Sequence, residues 1–163
     1  MSRTLKLAAL AGAAGALLAF AAAASAGGNG AQTFTQIDKN VVQVMPPGPD
    51  SSNPCTGDLG TLTLTFNDVF HGTSLANGTS WFTGTITGTL DFVPVDPARP
   101  SYTGHFTQWF GDENNLRNDV EPSTFNVNAT GSDGSHLVFH ENDQAATNAN
   151  GVVTVSFEHV ICG

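Results

Sequence analysis

The sequence has few basic residues: five Lys and Arg stand against fourteen Asp and Glu, for a formal net charge of −9. Arg3 and Lys6 lie near the N-terminus, so the rest of the chain has only Lys39, Arg99 and Arg117 as basic residues. A chain this acidic repels phosphate backbones and anionic lipid surfaces. We therefore expect no nucleic-acid partner and no attachment to a membrane after the N-terminal segment is removed.

The sequence also lacks the short motifs that mark common catalytic sites. It contains no G-x-S-x-G nucleophile elbow, no glycine loop of the phosphate-binding kind and no H-E-x-x-H pair. These absences favour a protein that binds over one that catalyses, and they indicate no cofactor.

Long apolar runs are missing except at the N-terminus. Residues 1–26 combine a short basic start, an Ala- and Leu-rich stretch and a small-residue end at Ala24-Ser25-Ala26, which is typical of a cleaved signal peptide. We predict a secreted, extracellular protein. Residues 27–33 are rich in Gly, Ala and Asn and are expected to be flexible, and residues 34–163 are expected to form a single β-domain.

Cysteine is also scarce, since Cys55 and Cys162 are the only two in the chain. An exported chain with two cysteines is expected to pair them. The predicted disulfide closes a long loop and would stabilise the fold by roughly 4–5 kcal/mol. Two cysteines alone are too few for a metal site built from thiolates.

Alternation of apolar and polar residues dominates from Gly60 onward, as in "TLTLTF" and "WFTGTITGTLDF". This period of two predicts half-buried antiparallel strands, and no stretch of the mature chain has a helical period. The fold class is therefore all-β: an antiparallel meander of seven or eight strands forming a barrel, with a β-sandwich as the alternative. The predicted strands are 60–71, 79–93, 101–110, 123–130, 135–147 and 151–162, with one or two more from 32–45, and 111–122 is expected to be a loop.

Three Asn-Gly or Asp-Gly pairs, at Asn77, Asp133 and Asn150, mark hairpin turns. A three-residue loop at each turn brings apolar residues opposite each other, whereas a two-residue loop opposes apolar to polar residues. In this register Phe139 faces Val127, and Glu141 faces His159.

This register places one polar cluster on the inner face. Glu141 and His159 are predicted to lie opposite each other, with Asp68 on the same face, and a carboxylate beside an imidazole can act as a general acid–base pair. The H-x-x-x-H spacing of His136 and His140 would suit a metal site on a helix. On a strand it separates the two rings by roughly 13 Å, so both are predicted to face outward as solvated residues.

Other residue groups suggest binding sites. An oxygen-rich loop with Asp112, Asn114 and Asp119 has the ligand types that Ca²⁺ takes, although its spacing matches no EF-hand, and we predict no metal. Trp81 and Trp109 fall on the polar side of their strands, where exposed indoles can stack on sugar rings. An apolar cavity would instead be lined by Phe66, Phe82, Ile86, Phe106 and Phe139.

Several segments carry a resemblance to a family of small exported bacterial β-proteins of uncharacterised function. They are "NPCTG" at 53–57, "SYTGHFTQWFG" at 101–111, "GSDGSHLVFHE" at 131–141 and "ANGVVTVSF" at 149–157, together with Cys162. The resemblance implies export and a single β-domain, and it implies no activity. At the level of fold alone, the chain is also similar to lipocalin-like and allene-oxide-cyclase-like barrels.

Three functions follow as expectations. The first is a non-enzymatic secreted barrel that binds a small apolar ligand or an extracellular surface. The second is a barrel isomerase or cyclase that uses Glu141 and His159. The third is a carbohydrate-binding module that presents Trp81 and Trp109 to cell-wall or other extracellular polysaccharide.

Overall fold

The computed structural model describes residues 30–163, so the predicted signal peptide lies outside the described residues. Seven strands form one antiparallel sheet, and their order in the sheet is their order in the chain. A single 3₁₀ turn at Pro49–Ser51 lies in the connection between the first two strands. The strands are β1 Gln32–Met45, β2 Gly60–Ser74, β3 Ser80–Pro94, β4 Tyr102–Asn114, β5 Asn118–Gly131, β6 His136–Asn148 and β7 Val153–Cys162.

Side-chain alternation gives the sheet two different faces. Leu64 lies opposite Leu90, and Phe139 lies opposite Val127, as predicted from the turns. We call the side that carries these residues the inner face and the side that carries the Thr-rich rows the outer face. Opposed residues share a face, so each hairpin extends the pattern to the next strand.

All three Gly-containing turns have the predicted three-residue loop. Gly78, Gly134 and Gly151 have φ values of 89°, 83° and 72°, in the left-handed region that favours glycine. In each turn the glycine N–H donates to the backbone oxygen of the residue just before the loop, at 2.8–2.9 Å. In the first two of these hairpins the turn therefore determines which residues face inward on both flanking strands.

The sheet is strongly curled, with the inner face on the concave side. Cys55, in the β1–β2 connection, is bonded to Cys162 at the end of β7, with a Cα–Cα distance of 5.7 Å. In a flat sheet β2 and β7 would lie roughly 24 Å apart, at about 4.8 Å per strand. The predicted disulfide is confirmed, and its presence indicates an oxidising environment. Within residues 30–163, no helix has the length and apolar character needed to cross a membrane.

Strand pairing does not close the sheet into a barrel, because β1 and β7 are both edge strands in the described part of the chain. Every residue of β7 is exposed, whereas the five central strands bury their inner side chains. The all-β meander is thus confirmed, and the closed barrel is not.

The core fills the concave side between β2 and β6. Phenylalanine rings contact each other across it: Phe66 lies 6.3 Å from Phe106, and Phe125 lies 6.0 Å from Phe139, between ring centroids. Glycines opposite large side chains provide the space. The buried cluster comprises Leu64, Ile86, Leu90, Phe92, Tyr102, Phe106, Val127, Ala129, Leu137 and Phe139.

Two predicted boundaries are wrong. Residues 32 and 33 were expected to be flexible, but they belong to β1. Residues 111–122 were expected to be a loop, but β4 continues to Asn114 and β5 begins at Asn118. A short turn suffices here because the Asn114 side chain accepts the Leu116 N–H at 3.0 Å, which supports the backbone locally.

The predicted register of β7 is also wrong, although its turn is right. Thr147 pairs with Val153, but the next residue, Ala146, pairs with Val155, so Thr154 is an extra residue in the strand. Such a bulge shifts all later pairs by one position. The Thr154 hydroxyl donates a hydrogen bond to the Ala146 backbone oxygen at 3.3 Å. The shift turns Cys162 to the inner face opposite Phe139, where it can meet Cys55.

Loss of the disulfide should destabilise the fold strongly. The bond spans 107 residues, and its removal in a Cys55→Ala, Cys162→Ala variant is expected to lower the free energy of unfolding by about 4–5 kcal/mol. Urea unfolding followed by intrinsic fluorescence measures this difference. Reductant should lower the stability of the natural chain and leave that of the double variant unchanged; equal effects on both would contradict the expectation.

Close approach of β5 to Gly104 should make this position intolerant of a side chain. A Cβ there would lie 2.2 Å from the Asn128 backbone oxygen and 2.4 Å from the Ala129 Cα. Gly104→Ala is therefore expected to lower the free energy of unfolding by about 2 kcal/mol. Gly30→Ala is the matched control because nothing lies within 4 Å of its Cβ. Similar urea midpoints for the two variants would refute this packing account.

Candidate functional site

The outer face is a convex array of hydroxyl, amide and imidazole groups. One cross-strand row runs Thr65, Thr89, His105 and Asn128 over strands β2 to β5. The next row runs Asn67, Thr87, Thr107 and Asn126, and it continues to His140 on β6. Threonine suits this position because its branched side chain packs on a pleated surface while its hydroxyl faces water. The face therefore offers regularly spaced hydrogen-bonding groups.

Trp81 and Trp109 both lie on this outer face, as predicted, with 44% and 40% of their surfaces exposed. Trp109 on β4 opposes Thr85, four residues along β3 from Trp81, so the two Cα atoms are roughly 13 Å apart along the strands. The six-membered ring of Trp109 reaches over Gly111 on its own strand: its Cη2 would lie 3.5 Å from a Cβ at that glycine. The indole therefore extends along β4 over Gly111, with part of its surface exposed.

A shallow depression lies on the same face, toward the other end of the strands. Its floor includes Leu90 and Gly104, and polar side chains surround it. Leu90 and Gly104 are paired inner-face positions, so they contribute backbone to this floor. The surrounding polar residues are Thr89, Asp91, Thr103, His105, Asn128 and Thr130.

The predicted Glu141–His159 pair is not formed. The bulge at Thr154 places Glu141 opposite Val160 on the inner face and His159 opposite Asn142 on the outer face. His159 stacks on Phe157, with ring centroids 6.3 Å apart. The acid–base arrangement expected of an isomerase is therefore absent at these two residues, because the one-residue shift turns them to opposite sides of the sheet.

The five residues expected to line an apolar cavity belong to the packed interior instead. Ile86, Phe106 and Phe139 are members of the buried cluster, and Phe66 packs against it. Phe82 contacts Phe110, with ring centroids 6.1 Å apart. In the described chain these side chains contact one another and other core residues, and a ligand cavity at these positions stays a prediction.

Carboxylates gather on the inner face beyond the apolar core. Asp143 is 8% exposed, and its Oδ1 has no hydrogen-bond partner within the described chain. Burial, with the neighbouring Asp143 and Glu158 carboxylates, raises the pKa of Glu141 from 4.5 to about 7. Burial and Glu158 likewise raise the pKa of Asp143. This cluster holds protons more tightly than free carboxylates do.

Asp68 lies on the inner face opposite Ile86, as predicted. It is 7% exposed, and its Oδ1 accepts the Asp38 backbone N–H at 3.2 Å. Burial raises the pKa of Asp68, while the hydrogen bond opposes that rise. Asp68 pairs across strands with Asp38, so it belongs to the β1 side of the sheet, away from the strands that carry Glu141.

The calcium candidates are rearranged by the extension of the two strands. Asp112 and Asp119 come together with Glu121, with ligand oxygens within 4.8 Å of one another. Asn114 instead supports the turn through its side-chain oxygen. Burial, with the Asp119 and Glu121 carboxylates, raises the pKa of Asp112 to about 6. Carboxylate oxygens at this spacing are ligands that Ca²⁺ accepts, and clusters of exposed carboxylates also occur without an ion.

Glu121 belongs to the same oxygen-rich segment as Asp112 and Asp119, and alternation from Phe125 places it on the inner face. Sequence reasoning did not identify Glu158. Simple alternation from the Asn150 turn would place Glu158 outward, and the need for Cys162 to reach Cys55 is the signal that reverses this parity.

Comparisons of the chain with protein-family models, with curated proteins and with solved structures found no match. The chemistry of the two faces is therefore the basis for a functional assignment.

Glu141→Gln is expected to stabilise the protein at pH 8 by about 1 kcal/mol, a value reduced for partial exposure of the side chain. The pKa of Glu141 is raised by folding, so its contribution to stability is full below pH 4.5 and is lost as the pH rises through about 7. The gain should therefore disappear at pH 4. Urea unfolding at both pH values measures it.

Glu113→Gln is the control for this substitution, because Glu113 lies on the outer face opposite Trp81. It should change stability little at either pH. An equal gain from both variants would show that total charge, and not the inner cluster, is responsible.

Proposed function

We propose that the protein is a non-enzymatic, exported carbohydrate-binding protein that binds extracellular polysaccharide on the outer face of its sheet. In this proposal the curled sheet is a barrel-like scaffold, and its packed concave side keeps the outer face rigid. The N-terminal sequence supports export, and so does the disulfide, because such bonds persist in oxidising compartments.

The observation that carries the proposal is the position of Trp109. Its indole extends over Gly111, and the residue is 40% exposed, so part of the ring is accessible to a ligand. The negative face of an aromatic ring attracts the polarised C–H groups on the flat side of a sugar. Hydroxyl and amide groups beside it on the same face can bond to the sugar hydroxyls.

The neighbourhood of Trp109 supports an extended ligand. Trp81 offers a second exposed indole on the adjacent strand, and the depression around His105 offers polar contacts farther along. A polymer can contact these separate groups at once, whereas a small ligand cannot. Each contact is weak alone, and several on one chain combine into useful affinity.

A small apolar ligand has less support. The side chains proposed to hold it, including Phe106 and Phe139, contact one another in the core. The isomerase alternative has less support too, because Glu141 and His159 lie on opposite faces.

Trp109→Ala should weaken polysaccharide binding about tenfold, which corresponds to about 1.4 kcal/mol. Affinity electrophoresis in gels containing soluble plant or bacterial polysaccharides measures binding, and quenching of tryptophan fluorescence provides a second readout. Trp109→Phe should retain part of the affinity because it keeps an aromatic face.

Val95→Ala is the matched control, since Val95 is an exposed apolar residue in the β3–β4 connection and not on the outer face. It should bind like the natural chain. If polysaccharide retards the migration of Trp109→Ala as strongly as that of the natural chain, the result argues against this binding site.

A further inference from the structure

The ionisable side chains are divided between the two faces of the sheet. Eight of the fourteen acidic residues have inner-face positions, and two, Asp91 and Glu113, have outer-face positions. The inner eight, read from strand pairing, are Asp38, Asp68, Asp112, Asp119, Glu121, Glu141, Asp143 and Glu158. The outer face is thus poor in negative charge in a chain that is acidic as a whole.

All five histidines lie on that outer face. The sequence contains five, and strand pairing places each of them on the side of the Thr-rich rows. They are His71, His105, His136, His140 and His159. Imidazole is the side-chain type that can change its charge under mildly acidic conditions, and the outer face carries all five imidazoles.

One of these histidines lines the polar depression, and two others lie on β6, two strands away in the sheet. His105, on β4, is the histidine that lines the depression. It pairs with Asn128 on β5, and Asn128 pairs in turn with Val138 on β6. His136 and His140 lie on either side of Val138 on that strand. At the usual strand spacings the three Cα atoms form a triangle with sides of roughly 12–13 Å.

The residues that face these rings are mostly neutral. His105 faces Thr89 and Asn128, with Asp91 one pair farther along β3. His136 faces Thr130, while His140 faces Asn126 and Ile161. Nδ1 of His140 is hydrogen-bonded to the Asn126 side-chain oxygen, and the contact uses only one of the two ring nitrogens.

The two remaining rings also face neutral groups. His71 faces Thr35 and Thr83, and its Nδ1 lies 2.9 Å from the Thr35 hydroxyl. His159 faces Asn142 and stacks on Phe157. Across the whole face, Asp91 and Glu113 are therefore the acidic groups that oppose five imidazoles.

The permanent cations lie away from β4, β5 and β6. Lys39 sits in the irregular part of β1, where the pairing shifts between Asp38 and Val41. Arg99 pairs with Asp58 in the connections, at 3.3 Å, and Arg117 lies in the β4–β5 turn. On strands β4 to β6 of the outer face, the side chains that can carry positive charge are therefore histidines.

We propose that the outer face binds an acidic polysaccharide, one that carries carboxylate or sulfate groups, under mildly acidic conditions. This inference rests on the proposed function and names the ligand class and the pH dependence of the same site. Imidazolium N–H groups would donate charge-assisted hydrogen bonds to the anionic groups, while Trp109 stacks on a sugar ring. Charge complementarity arises only once the imidazoles are protonated.

The charge of the whole chain reinforces this dependence. At neutral pH a net charge of −9 repels a polyanion. Acidification also neutralises an inner carboxylate, since burial raises the pKa of Glu141 to about 7. Loss of this negative charge favours approach of an anionic polymer at lower pH.

The test compares polygalacturonate with its methyl ester, which has the same backbone without charge. Dissociation constants are measured by isothermal titration calorimetry at pH 5 and pH 8 and at one fixed ionic strength. We expect polygalacturonate to bind at least tenfold more tightly at pH 5 than at pH 8, and the methyl ester to bind with little pH dependence. Raising the salt concentration should weaken only the pH 5 binding of the acidic polymer.

A triple variant, His105→Gln, His136→Gln, His140→Gln, assigns the effect to these rings. It should lose most of the pH dependence and keep the methyl-ester affinity, because Trp109 is unchanged. Circular dichroism checks that the variant is folded. Glu141→Gln controls for the inner carboxylates and should keep most of the pH dependence.

The outcomes separate this inference from the function on which it rests. Equal binding of both polymers at both pH values, with loss in Trp109→Ala, would overturn the acidic ligand class and leave carbohydrate binding intact. A triple variant with full pH dependence would overturn the histidine assignment. Absence of binding to any polysaccharide would overturn both proposals, and equally tight binding of duplex DNA at pH 5 would overturn the choice of carbohydrate.

Discussion

The alternation of side chains across each strand is the constraint on which the rest of this structure depends. Three turns with glycine in the left-handed region set the alignment of three hairpins. Once the alignment is set, every side chain in those hairpins is assigned to a face. The apolar residues then share the concave side, and a sheet that must cover its own core with no second layer curls around it.

In β7, simple alternation from the turn is incompatible with the disulfide, and the strand adopts the register that the disulfide requires. Simple continuation from the last turn would bury Phe157 and Ile161 and turn Cys162 outward. The bulge at Thr154 reverses this outcome, so Cys162 reaches Cys55 while Phe157 and Ile161 are each 51% exposed. A covalent bond across the open side of the curled sheet compensates for the apolar contacts that β7 does not make.

In the proposed function, the concave face of the sheet supplies stability and the convex face binds the ligand. The concave side combines a packed aromatic core with buried carboxylates, whose raised pKa values make the fold less stable at high pH than at low pH. The convex side has few buried groups and can carry exposed indoles and imidazoles at little risk to the core. Binding residues can vary on such a face because their side chains do not pack inside.

Much of this protein could be predicted from its sequence, because local patterns determine local structure. The six later strands, the three turns, the partner of Cys55 and the outward positions of Trp81, Trp109, His136 and His140 all follow from a period of two and from turn chemistry.

Tertiary structure alone decided three other matters: the shift in β7, the gathering of Asp112 with Asp119 and Glu121, and the filling of the interior. The bulge in β7 depends on where Cys162, at the end of the strand, must lie to reach Cys55. The carboxylate cluster depends on the ends of β4 and β5, which the sequence pattern assigns to a loop. Whether phenylalanines line a cavity or fill it depends on how far the sheet curls. Each is a property of distant parts of the chain brought together, and no local pattern encodes it.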